Sequence, residues 1–190
     1  MRSNLVLLVA FVLSGTSLLA QSGGEDARAI AHRQLVQLGF AEEDLGELVV
    51  KDDYTSGGIQ HVILRQKWQG IEVWNGDIAV HQRSDGGLIA FNHAAEPRLA
   101  KRVNSTTPQV SAQTALSNVL AITLPGVAIP AEISSADQGR IVHFDGSALG
   151  EQAVEVKLYL LPMGDALRLV WNVNHYTPDG YIGGTCASMP

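Results

Sequence analysis

Cysteine is almost missing from this 190-residue chain, which contains only Cys186. A lone cysteine excludes an intramolecular disulfide and any zinc cluster built from cysteines, so the fold must be held by its hydrophobic core. Basic residues are also scarce, with 13 Lys and Arg against 19 Asp and Glu, and their one run is Lys101-Arg102. Such a chain lacks the basic patch that attracts nucleic acids and anionic lipids, and we expect no nucleic-acid partner.

Catalytic signatures are absent as well. The chain has no H-E-x-x-H and no G-x-S-x-G, and none of its six histidines has a second histidine four residues later. A metal site assembled from distant histidines, or a carboxylate pair such as Asp52 and Asp53, remains an open alternative, but solvated acids in turns are the simpler interpretation. The sequence therefore assigns no catalytic residue, no metal ligand and no cofactor to this chain.

The first 20 residues differ in character from the rest. Arg2 precedes an apolar run from Leu5 to Leu13, and small residues follow as far as Ala20. This order is typical of a secretory signal peptide, and the run is shorter than the ~20 residues that span a bilayer, which makes a membrane anchor the weaker alternative. We expect cleavage near Gln21 and a secreted or periplasmic chain with no stable membrane anchor.

Apolar periodicity predicts one helix and four strands in the first part of the mature chain. Helical spacing extends from Glu25 to Gly39, where the glycine favours helix termination. A strand is predicted at Glu47 to Asp52, a hairpin at His61 to Val80 with its turn at Gly70, and a fourth strand at Leu88 to Asn92.

A stretch without periodicity, Ala94 to Pro108, predicts a linker. Helical spacing resumes at Val110 to Leu120, with Ser111 available as the N-cap. Three strands are predicted beyond it, at Arg140 to Phe144, Val154 to Leu161 and Leu167 to Asn174. Residues 175–190 are predicted to be an irregular tail.

The hairpin carries a recognisable motif. Gln66, Trp68, Gly70, Ile71 and Val73 fall in the order Q-x-W-x-G-I-x-V. This order resembles the core motif of the fungalysin/thermolysin propeptide (FTP) domain. The later strands, with the sequences YLLP and LRLVW, are similar to a hairpin that precedes the protease domain in the same family, and the helix with its following strands resembles a PepSY unit. The resemblance extends over roughly Glu25 to Val173.

That resemblance implies an α+β fold made of two small units, each a helix on an antiparallel sheet. The implied divisions are a signal peptide at 1–20, an FTP-like domain at 25–94, a linker at 95–108, a PepSY-like unit at 109–174 and the tail. The resemblance further implies that the chain is the propeptide of a secreted zinc metalloprotease of the fungalysin (M36) type. Such a propeptide inhibits the protease domain and assists its folding, in cis or in trans. Zinc is expected only in that protease domain, which this sequence lacks.

Contact with the protease is expected on the hairpin and near the third tryptophan. The candidate contact residues are Gln66, Trp68, Gly70, Ile71, Val73, Trp74 and Trp171. Core packing is the alternative role for the tryptophans, and Trp74 is the best candidate for an outward-facing residue because it is out of phase with Val73. Other functions left open are a stand-alone exported inhibitory or binding module, a truncated product, and an unrecognised enzyme.

Overall fold

A computed structural model of the chain describes residues 22–176 and 182–188. The predicted signal peptide at 1–20 lies outside the described residues. The helices are α1 (Ser22–Gln37), α2 (Leu99–Arg102) and α3 (Ala112–Thr123). The strands are β1 (Glu47–Ser56), β2 (Ile59–Trp68), β3 (Ile71–Arg83), β4 (Leu88–His93), β5 (Glu132–Ala136), β6 (Ile141–Asp145), β7 (Ala153–Met163), β8 (Ala166–Tyr176) and β9 (Ile182–Ser188).

In the described residues, nine strands form one mixed sheet, so the α+β class is observed. Strands follow the order β1-β2-β3-β7-β6-β5, while β4 pairs with β3, and β8 pairs with both β7 and β9. The sequence predicted antiparallel pairing only. The structure differs at one place, because β3 and β7 pair in parallel through Glu72 opposite Tyr159 and Val73 opposite Leu160. This short pairing connects the first four strands to the others.

A first core lies between α1 and strands β1 to β4. Ala27, Ile30, Ala31 and Leu35 recur at helical spacing and are buried, as the sequence pattern predicted. They meet the alternate residues of the sheet that face the helix. The buried members on the strands are Val62, Leu64, Ile78 and Val80.

A second core lies under α3. Its helix begins at the predicted cap, since the Ser111 side chain accepts a hydrogen bond from the Thr114 backbone N–H at 3.1 Å. The buried face of α3 packs on β6, β7 and β8, and Ile71 and Val73 of β3 belong to the same cluster. The β3 strand therefore contributes to both cores, which places the predicted motif at their junction.

The predicted linker at 95–108 contains helix α2 and is tied down at several points. Gln66 binds the backbone of Glu96, through Nε2 to the carbonyl oxygen at 3.0 Å and through Oε1 from the N–H at 2.8 Å. Arg102 forms an ion pair with Glu96 and donates to the carbonyl oxygen of Gly164, in the β7–β8 turn, at 3.1 Å. Further along, the Leu169 N–H donates to Asn104 Oδ1 at 3.0 Å. The segment is thus attached to β2 on one side and to the β7–β8 hairpin on the other.

Two strands differ from the sequence prediction. Residues 132–136 form β5, which pairs with β6 and is exposed along its whole length. Residues 182–188 form β9, which pairs with β8, although the sequence predicted an irregular tail from residue 175. Among the described residues, no helix has the length and apolar character needed to cross a bilayer.

Candidate functional site

The β2–β3 hairpin turns at Gln69 and Gly70, both of which have positive φ. Trp68 and Ile71 pair on either side, so the loop has two residues, and glycine at its second position fits the left-handed conformation that such a turn requires. The Gly70 N–H donates to Glu47 Oε1 at 3.1 Å, and Thr106 Oγ1 lies 3.3 Å from Gln69 Oε1. The motif's turn is thus fixed by contacts from β1 and from the segment after α2.

Gln66 is a buried polar anchor. Its side chain has no exposed surface, and besides its two bonds to Glu96 it donates from Nε2 to the Leu45 carbonyl oxygen at 3.0 Å. These bonds satisfy the buried carbonyl of Leu45 and the backbone of half-buried Glu96, and they pair the buried amide of Gln66, which would be costly to leave unpaired. The glutamine of the motif therefore holds two chain segments against β2.

Several candidate contact residues are part of the interior. Gln66, Ile71, Val73 and Trp171 are at most 2% exposed. Trp171 donates from Nε1 to the Val110 carbonyl oxygen at 2.9 Å, which ties β8 to the start of α3. These four side chains serve the packing of the fold and leave almost no surface for a partner. A contact role stays a prediction for the remaining candidates, Trp68, Gly70 and Trp74, which are all half-buried.

Trp74 lies at the β3–β7 junction. Its ring meets the ring of Tyr159 edge-on, with the centroids 5.0 Å apart. The ammonium of Lys157 stands 5.0 Å from the Tyr159 ring centroid. We call Trp74, Tyr159, Lys157 and Glu72 the junction patch; all four side chains are half-buried.

Charged side chains at the junction patch form a network of ion pairs across strands β2, β3 and β7. Glu72 pairs with Lys157 at 3.0 Å, with Arg65 at 3.4 Å and with Lys67 at 3.6 Å. Arg65 also pairs with Asp77 at 2.6 Å. Glu72 therefore links β3 to β2 on one side and to β7 on the other.

The surroundings shift the pKa values of the members of this network. Burial raises the pKa of Glu72, but the hydrogen bond from Lys157 and the charges of Lys157, Lys67 and Arg65 outweigh burial and leave the pKa below its ordinary value. For Lys157 the effects have the opposite signs: burial lowers its pKa, but its interactions with Glu72 and Tyr159 outweigh burial and leave the pKa raised. Both shifts favour the charged forms, so the pair is ionised at neutral pH.

A second surface feature is an open groove of about 470 Å³ between the start of α3 and strands β5 and β6. Val110, Ser111, Glu132, Val142 and Trp171 are among the residues that line it. Trp171 thus stands at the wall of a groove even though its ring is buried.

Within the described residues, no group of three or more His, Cys, Asp or Glu side chains could hold a metal ion.

Two arrangements of side chains were not predicted from the sequence. His61 and His81 lie opposite each other on β2 and β3, with their Nδ1 atoms 2.8 Å apart. Arg102, which the sequence shows only as part of a basic pair, joins Glu96 of its own segment to the β7–β8 turn. Strand register would have revealed the first arrangement, while only the tertiary structure reveals the second.

The chain matches a known protein family over part of its length. Residues 46–95, about a quarter of the chain, match the family described as Fungalysin/Thermolysin Propeptide Motif. The match includes the hairpin motif and supports the predicted FTP resemblance over that range. A search of curated proteins gives no match. The matched motif belongs to propeptides rather than to catalytic domains, and a propeptide associates with a protease catalytic domain.

Proposed function

We propose that this chain, with a protease-propeptide motif at residues 46–95, is the secreted propeptide of a zinc metalloprotease of the fungalysin (M36) type. It inhibits the protease domain and assists its folding, while zinc and catalysis belong to that domain. The residues after the linker form a PepSY-like second unit. The family match is the observation that carries the proposal, because its motif forms the hairpin at the centre of the sheet.

Neither role requires chemistry from the propeptide. An inhibitor needs only a preorganised surface that covers the substrate cleft, and stable protein interfaces bury about 1,600 Å² in total. Assistance in folding follows from linkage, since a partner that binds only the folded protease stabilises it. The preorganisation of the hairpin supports this role, because Gln66 and the fixed turn at Gly70 hold the hairpin in one conformation.

The junction patch is the proposed place of contact. Trp74 is a large aromatic residue of the predicted contact set whose ring is not fully buried, and aromatic residues supply much of the binding energy in protein interfaces. Its edge-on contact with Tyr159 limits its freedom before binding, which lowers the entropy cost of association. A protease surface that covers Trp74 would also desolvate the Glu72–Lys157 pair beside it.

Inhibition of a purified fungalysin-type protease by residues 21–190 tests the proposal, with circular dichroism to establish that each variant folds. We expect saturable inhibition, and Trp74→Ala should weaken it at least about tenfold. Ile122→Ala is the matched control, because Ile122 is 78% exposed on α3 and should leave inhibition unchanged.

A folded chain that does not inhibit would contradict the inhibitor role and favour a stand-alone binding module. Inhibition that Trp74→Ala leaves intact would keep the propeptide role and move the contact away from the junction patch.

A further inference from the structure

His61 and His81 face each other across β2 and β3. They are direct partners in the strand register, and their Nδ1 atoms are 2.8 Å apart. The Tyr54 ring stacks on the His61 ring, at 4.9 Å between centroids and 16° between planes. Both imidazoles are half-buried, so solvent reaches them while their neighbours limit their rotation. The sheet therefore presents two nitrogen donors at a fixed spacing.

The 2.8 Å between the two Nδ1 atoms is the length of the hydrogen bond that joins the rings without metal. With metal–nitrogen bonds of about 2.0 Å, two ligands at a right angle are also about 2.8 Å apart, so the two nitrogens need not move apart to bind an ion of square-planar or tetragonal geometry. Among divalent first-row ions, Cu²⁺ binds nitrogen ligands most tightly, and Cu²⁺ and Ni²⁺ both accept this geometry.

We propose that His61 and His81 form a two-nitrogen chelate for a square-planar transition-metal ion, Cu²⁺ before Ni²⁺, which cross-links β2 to β3. Water fills the other positions, because no group of three or more ligand side chains surrounds the pair in the described part of the chain. The site is structural and is independent of any contact with a protease.

Binding requires one change in the histidine pair. Without metal, the Nδ1 of one ring donates its hydrogen to the Nδ1 of the other. With metal, both Nδ1 lone pairs bind the ion and two coordinated waters leave. The Nδ1 proton of the former donor passes to solvent as that ring takes up a proton at Nε2, so the tautomer changes with no net release of protons.

Titration of the full chain with CuSO₄, followed by calorimetry and thermal unfolding, tests the site. We expect one Cu²⁺ per chain and a rise in Tm. Ni²⁺ and Zn²⁺ should bind more weakly than Cu²⁺. His61→Gln and His81→Gln should each lower Cu²⁺ affinity at least about tenfold and abolish the rise in Tm, because loss of a ligand should cost at least as much as loss of its supporting hydrogen bond.

His93→Gln is the matched control, since His93 is an exposed histidine on the neighbouring strand β4 and should leave the affinity unchanged. Equal losses in all three variants, or no rise in Tm with Cu²⁺, would overturn the proposal.

A measurement on the unmodified chain tests the site without requiring that any variant folds. Substoichiometric Cu²⁺ should broaden the ring NMR signals of His61 and His81 before those of the other histidines. Simultaneous broadening of all histidines would mean surface binding and would also overturn the chelate.

Discussion

At the scale of single residues, Gln66 shows how one polar side chain fixes the position of distant backbone. It makes three hydrogen bonds, to the carbonyl oxygens of Leu45 and Glu96 and from the Glu96 N–H. Leucine has a similar volume but offers none of these bonds. Gln66→Leu should therefore lower the free energy of unfolding by about 2–4 kcal/mol, and lower Tm by roughly 5–15 °C. Urea and thermal unfolding followed by circular dichroism would measure both.

Gln113→Leu is the control for that substitution, because Gln113 is exposed at the start of α3. Its effect should stay within about 0.5 kcal/mol. Equal stability of the Gln66→Leu variant and the unmodified chain would contradict the anchoring role.

The same residue marks a limit of sequence reasoning. The motif correctly predicted a hairpin with its turn at Gly70, because alternation and a glycine with positive φ are local properties. It could not show that Gln66 is buried, since its partners Leu45 and Glu96 are distant in sequence and meet it only in the folded chain. A conspicuous polar residue was for this reason predicted as a contact residue.

At the scale of elements, the start of α3 depends on a single cap. The Ser111 side chain accepts from the Thr114 N–H, one of the donors that a helix leaves unpaired at its first turn. Ser111→Ala removes the acceptor and should destabilise the protein by about 1 kcal/mol. Thermal unfolding by calorimetry would detect the change.

Ser117→Ala serves as its control, because Ser117 lies inside the same helix and alanine is a better helix former there. This variant should be as stable as the unmodified chain or slightly more stable. A loss at Ser117 equal to that at Ser111 would contradict the assignment of the cap.

Which elements the sequence predicts depends on how deeply they are buried. Strands β2, β3 and β7 alternate between buried and half-buried residues, and their pattern predicted them. Strand β5 is exposed at every position, so its sequence EISSA carries no alternation to detect. The parallel pairing of β3 with β7 is a tertiary contact between residues far apart in the chain, and no local pattern encodes it. These omissions concern edges and junctions rather than cores.

At the scale of the whole molecule, Glu72 joins the two groups of strands. Ionised Glu72 bonds to Lys157 of β7 and to Lys67 of β2. Because its pKa in the folded state lies below the ordinary 4.5, its contribution is fully present above that pH and is lost as the pH falls through the lower folded-state pKa. We expect Glu72→Gln to cost roughly 1–2 kcal/mol at pH 7 and to reduce the loss of stability in acid.

Denaturant unfolding at a series of pH values would test this pH dependence. The series should extend from about pH 3 to about pH 7, the range in which carboxylates titrate. Glu132→Gln, at an exposed position on β5, is the control and should follow the unmodified chain. Parallel pH profiles for Glu72→Gln and the unmodified chain would contradict a special role for Glu72.

The attachment of Arg102 has a consequence for the lifetime of the molecule. Lys101-Arg102 is the one adjacent basic pair in the sequence, the kind of bond that trypsin-like enzymes cut. Its arginine is bound to Glu96 and to the β7–β8 turn, and the neighbouring Leu99 is fully buried. A protease cleft accepts an extended chain, so this bond can be cut only after α2 detaches and the segment opens. In the folded state this bond is held in the helical backbone of α2, and its rate of cleavage reports how often the segment opens.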